Sequence, residues 1–116
     1  MAKMLERVGP KIVLQHCREL GLEPKTVSSC LGVHAKTLQR WQEGTAQPNE
    51  ATWRLLEKLE SICQAALHLM KADFRKSWFQ VSNATLGGER PVELLRRGEI
   101  ERVRNVLGML EWGIYS

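Results

Sequence analysis

Lys36, Thr37, Gln39 and Arg40 lie close together in the chain, and at 3.6 residues per turn they share one side of a short helix. An ammonium, a hydroxyl, an amide and a guanidinium placed this way can bond base edges and phosphates. A helix face of that size fits a DNA major groove. A second concentration sits at the far end, where Trp112, Gly113, Ile114, Tyr115 and Ser116 follow the last helical pattern. The stretch from Trp78 onward is about 40 residues, near the lower limit at which a core stabilises itself. Its aromatic tail therefore predicts contact with another protein. Catalysis is not signalled. His16, His34 and His68 have no local arrangement of nucleophile and base, and Gly87 and Gly88 read as a turn rather than a phosphate-binding loop. The sequence predicts no enzyme activity and no cofactor.

The elements that position these groups are helices with legible ends. Pro10 can occupy a first helical position and Gly21 can follow the last one, so a helix is expected over about 10–20. Val13, Cys17 and Leu20 recur on its inner side, and Leu22 can fold back onto Cys17. Pro24 opens a second helix to about Leu31, and Gly32 breaks it. A third is expected from Ala35 to Glu43, ended by Gly44. Pro48 and Asn49 then start a long helix from Glu50 to about Lys71. Two short helices crossing near a right angle need a small residue at the approach and a turn residue free to take positive φ. Ser28 and Gly32 meet those needs, with Val27, Leu31, Val33, Leu38 and Trp41 facing inward. Glu23 and His34 stand where a Ser or Thr would ordinarily cap the second and third helices.

In the long helix, Trp53, Leu56, Leu59, Cys63, Ala66 and Met70 make an apolar stripe that Leu55, Ile62 and Leu69 widen. A stripe that wide can serve as a spine between two neighbours. Phe74, Trp78 and Phe79 anchor a brief helix, SNATLGGER supplies a loop, and Pro91 restarts a helix that Gly98 ends. Ile100, Val103, Leu107 and Leu110, continuing to Ile114, form the inner seam of the last helix. Glu99, Glu101, Arg102, Arg104 and Glu111 line its outer side.

Of the 116 residues, 43% are apolar, which suits one compact domain or small modules sharing a core. No apolar run approaches the length that crosses a bilayer and no signal peptide is evident, so a cytoplasmic protein without membrane contact is expected. Cys17, Cys30 and Cys63 are odd in number and contain no C-x-x-C pair. They predict neither a disulfide framework nor a metal site. The net charge of +4 permits nucleic-acid binding, but Lys and Arg are spread through both halves.

The stretch GVHAKTLQRWQEG resembles the Xre and phage-repressor type of helix-turn-helix. That resemblance assigns base reading to Ala35, Lys36, Thr37 and Arg40, with Gln39 on the same face, and phosphate contact to Thr45 and Gln47. Further on, Trp78, Asn83, Leu86, Gly88, Pro91, Leu94, Leu95, Gly98, Val103, Leu107 and Gly113 fill a pattern similar to the toxin-binding domain of Xre/MbcA/ParS antitoxins. Ser82 departs from it, standing where that family often has proline.

The family resemblance implies an antitoxin for a RES-type toxin, a protein that consumes or transfers parts of NAD. It also implies blockage of the toxin's cleft and repression of the antitoxin's own operon through operator DNA. The toxin-binding residues so implied are Trp78, Asn83, Leu86, Arg97, Arg102, Trp112, Gly113, Ile114 and Tyr115. Arg96, Arg97, Arg102 and Arg104 are suited to meeting an acidic rim and steering association.

The expected architecture is all-α: a helix-turn-helix module over 1–49, a connecting helix over 50–72 and a small helical toxin-binding module over 73–116. A homodimer or a hetero-oligomer with the toxin is the expected assembly. The alternative is a plain helix-turn-helix repressor whose C-terminal module mediates dimerisation.

Overall fold

A computed structural model of the chain describes residues 9–113. Proline and glycine set the helix ends much as the sequence predicts. Helix α1 spans Pro10–Glu19, α2 Pro24–Leu31 and α3 Ala35–Glu43. The long α4 spans Glu50–Leu69, and α5 Ala72–Gln80. A 3-10 turn at Ala84–Leu86 leads to α6, Pro91–Arg96, and α7, Ile100–Glu111. Among the described residues the chain is all-helical, with an isolated bridge between Asn83 and Glu89 as its sheet-like pairing. Pro10, Pro24 and Pro91 each stand in the first turn of a helix, where a missing N–H costs nothing.

The α1 ending closes as expected. The Leu22 N–H donates to the Cys17 carbonyl at 2.9 Å, and the Leu22 side chain is buried. The same closure ends α2, with Val33 N–H on the Ser28 carbonyl at 3.0 Å. Here Gly32 takes φ +69, a conformation that costs a residue with a Cβ about 1–2 kcal/mol. Ser28 is buried, and its hydroxyl donates to the Lys25 carbonyl at 3.0 Å. Val27, Leu31, Leu38 and Trp41 are buried and Val33 is partly buried against them. The α2–α3 pair thus shares a buried inner face.

His34 fills the capping role usually given to a Ser or Thr. Its Nδ1 accepts the Lys36 N–H at 3.1 Å, while Glu23 caps α2 with no side-chain bond. Asn49 caps α4 through Oδ1, which accepts the Thr52 N–H at 2.9 Å.

Helix α4 is the spine, with α1 packed on one part of it and α7 on another. Leu56, Leu59, Ile62, Cys63 and Ala66 are buried between them, as the width of the stripe implies. Helix α2 packs directly on α6, so the buried residues form one continuous cluster running from Val13 to Leu107. The Arg96 Nε donates to the buried Thr26 hydroxyl at 3.3 Å across that contact. The described residues of all three expected segments, 9–49, 50–72 and 73–113, therefore meet in a common core.

Three local expectations change. The long helix stops at Leu69 rather than near Lys71, because Met70 turns extended at φ −121 and ψ 143. The Arg75 guanidinium takes up the released carbonyls, with Nε on Met70 at 2.9 Å and a second nitrogen on Leu67 at 3.2 Å. Trp53 is only partly buried, at the open end of the stripe. Phe74 is 52% exposed and does not anchor α5; Trp78 and Phe79 do, their rings edge to face at 5.0 Å.

Candidate functional site

Two surfaces carry the residues singled out in the sequence. On the first, α3 presents Ala35, Lys36, Gln39 and Arg40 to solvent, with Thr37 half-buried beside them. Among the described residues, neither Lys36 nor Arg40 is held in an ion pair. Gln39 donates to Glu43 at 3.1 Å. Thr45 and Gln47 are exposed past the end of the helix, and the Thr45 hydroxyl donates to the Arg40 carbonyl at 3.3 Å. Five of the seven residues thus lie along α3 and two just past its end, and the Lys36 and Arg40 cations are in no ion pair among the described residues.

The second surface is built by α5, the loop after it and the end of α7. Asn83 organises the loop: its Oδ1 accepts the Thr85 N–H at 2.9 Å, and its carbonyl accepts the Gly88 N–H at 2.9 Å. Leu86 and Trp78 are buried under this loop. They shape the surface from beneath rather than offer side chains to a partner. Arg97 and Arg102 are exposed but mutually organised by carboxylates. Arg97 binds Glu89 at 2.8 Å and Glu99 at 2.7 Å, and Arg102 binds Glu99 at 3.0 Å and reaches Glu89 at 3.6 Å.

The Arg97 hydrogen bond is the main reason Glu89 is held below the usual carboxylate range. Glu99 is held low by Arg97 and then by Arg102. The Arg97 guanidinium is correspondingly pushed up by its two carboxylate partners. Arg96 and Arg104 are likewise engaged, Arg96 with Glu93 at 3.2 Å and Arg104 with the Ser61 hydroxyl at 3.0 Å.

The unbalanced part of this surface is apolar. Trp112, at the end of α7, is 80% exposed, and Gly113 follows it. Ile114 and Tyr115, expected to extend the same tail, lie outside the described residues. Leu69, Met70, Phe74 and Leu110 line a shallow groove between α4, α5 and α7. A neighbouring groove is lined by Phe74, Trp78, Val81 and Asn83. Phe74 belongs to both, so an apolar strip runs across α5 to the Asn83 loop. Val81 and Met109 are also exposed large apolar side chains. Phe74, Val81 and Leu110 were not among the binding residues drawn from the sequence. The helical spacing of Phe74 and Leu110 was visible, but spacing marks an apolar stripe without showing whether anything covers it.

Among the described residues no group of three or more His, Cys, Asp or Glu side chains is placed to hold a metal ion. No helix among them is long and apolar enough to cross a membrane.

This architecture has relatives. The chain is 24% identical over 96 residues to the mycobacterial cidal antitoxin MbcA of Mycobacterium tuberculosis strain H37Rv, spanning 83% of this chain and 85% of the relative. The protein of the same name from Mycobacterium bovis matches to the same extent. Its fold is shared with a chain in the crystal structure of the M. tuberculosis MbcT–MbcA toxin–antitoxin complex. The TM-score is 0.72 at 22% identity, covering 96% of this chain and 100% of that one. A family model, the antitoxin Xre/MbcA/ParS C-terminal toxin-binding domain, matches residues 65–113, a segment that begins within α4 and takes in the whole apolar strip. Residues 65–113 of this chain accordingly match the Xre/MbcA/ParS-type C-terminal domain.

Proposed function

We propose that this chain is the antitoxin of a toxin–antitoxin pair. In this reading its C-terminal domain docks on a RES-type toxin and closes the toxin's active-site cleft. The single observation that carries the proposal is the bare indole of Trp112 at the end of the matched domain. A large aromatic with few rotamers gains much on burial and loses little by being ordered. The strip through Phe74 and Leu110 gives the tail an apolar surface to continue onto. Arg97 and Arg102, already neutralised in part by Glu89 and Glu99, act at the rim, where charge sets approach and register more than affinity. Blocking a cleft in this way asks no chemistry of the blocker. Trp78, Asn83 and Leu86 serve by holding the loop beside the strip in shape, and Gly113, Ile114 and Tyr115 extend the plug.

The second half of the proposal is operator binding through α3. Lys36 and Arg40 would donate to base acceptors, Ala35, Thr37 and Gln39 would complete the reading face, and Thr45 and Gln47 would meet phosphates. A dimer, or a complex with the toxin, would place two such faces on one operator.

Expression of the neighbouring reading frame, with and without this chain, tests the pairing. The frame alone should arrest growth, and co-expression should restore it. Persisting arrest, together with a homodimer formed through α5, would favour a repressor without a toxin partner.

A further inference from the structure

We propose that Cys17 and Cys63 are a peroxide-responsive dithiol that closes into a disulfide joining α1 to α4. The two sulfurs are in contact at 3.8 Å, on helices 46 positions apart in sequence, and both thiols are free and buried. A disulfide bond is about 2.05 Å long, so less than about 2 Å of approach separates contact from bond.

Access comes from one side. Cys17 lines a groove of 230 Å³ among α1, α2 and α3, together with Leu14, Leu22, Val27 and Leu38. A hydroperoxide is small enough to enter it. Cys63 lies behind Cys17 on the spine, where its thiol is pushed up first by the hydrogen bond with Cys17 and then by burial. Cys63 does not line that groove, so Cys17 is the sulfur that meets the oxidant.

In the first step the Cys17 sulfur attacks the terminal oxygen of the hydroperoxide and breaks its O–O bond, and the Cys17 proton passes to the departing alkoxide or hydroxide. The sulfur is oxidised to a sulfenic acid, and the peroxide is reduced to an alcohol, or to water for hydrogen peroxide. In the second step the Cys63 sulfur attacks the Cys17 sulfur and displaces hydroxide, which leaves as water with the Cys63 proton. Two thiols and one hydroperoxide thus give one disulfide, one alcohol and one water. The closed loop contains α2 and α3 entirely, so the bond would clamp the α1–α3 unit onto the spine.

Cys30 is the internal control. It is buried and its thiol is pushed up to about 12, mainly by burial and then by Cys17. The test treats the full chain with hydrogen peroxide at the dose that oxidises exposed Met109, then alkylates under denaturing conditions and maps peptides by mass spectrometry. Alkylatable thiols should fall from three to one, with a Cys17–Cys63 linked peptide and Cys30 alkylated. In Cys63→Ser, a dimedone-type probe should trap sulfenic acid at Cys17. Three alkylated thiols at that dose, a link through Cys30, or links only between molecules would each overturn the proposal. The wild-type map decides by itself if the variant does not fold.

Discussion

Trp112 presents most of its indole to solvent while sitting one residue past the end of α7, and this makes it the clearest point at which binding and folding separate. Surface substitutions away from caps and cores usually change stability by no more than about 0.5 kcal/mol. Trp112→Ala should therefore leave the melting temperature within a few degrees while weakening toxin binding by at least about 30-fold, the range of an interface anchor above 2 kcal/mol. Titration calorimetry and thermal denaturation check the two halves. Lys36→Ala with Arg40→Ala should do the converse. Each substitution that removes a hydrogen bond to a base should lower operator affinity roughly 10- to 100-fold, read by gel shift at fixed salt, with toxin neutralisation unchanged. Equal loss of both activities would contradict separate surfaces.

At the scale of elements, the turn between α2 and α3 and the middle of α7 make opposite forecasts about glycine. Gly32 has φ +69 and open space where a Cβ would stand, so Gly32→Ala meets no clash yet should cost about 1–2 kcal/mol through backbone strain. Gly108 lies inside α7 with helical φ and equally open space. Gly108→Ala should stabilise by about 0.5–1 kcal/mol. Denaturant titration distinguishes the signs.

The cluster of Glu89, Glu99, Arg97 and Arg102 ties the loop, α6 and α7 together, and its carboxylates titrate lower in the folded chain than in the unfolded one. A depressed folded pKa contributes stability that is present above the ordinary carboxylate range and is lost as the pH falls through the folded value. Acid should thus loosen this end of the molecule. Arg97→Ala should flatten the acid limb of the stability profile, and added salt should flatten it further because the groups are exposed.

Helix punctuation explains why so much of this level was readable. Pro10, Pro24, Pro91, Gly21, Gly32, Gly44 and Gly98 act locally, within a turn of where they stand. The stop at Met70 was not readable, because it depends on Arg75 reaching back to carbonyls of the preceding helix.

Taken as a whole, the molecule joins its two surfaces through one core. Helix α4 contacts both halves, α2 packs on α6, and Arg96 reaches the buried Thr26 hydroxyl. The pairing of α2 with α6 was not legible in the sequence, since residues so far apart leave no local signal. Nor was the exposure of Phe74, whose spacing looks the same whether a stripe is covered or bare. The α3 face was legible because the inner positions of the α2–α3 pair, Val27, Leu31, Leu38 and Trp41, fix what must point outward.

On the proposed function, the C-terminal end of this chain seals a toxin's cleft. The most direct measurement of this is inhibition of the purified neighbouring toxin's NAD consumption, comparing the full chain with one ending at Glu111. The full chain should abolish turnover at stoichiometric ratios, and the shortened chain, still folded by circular dichroism, should inhibit far more weakly. Equal inhibition by both would contradict the account and place the contact elsewhere on the molecule.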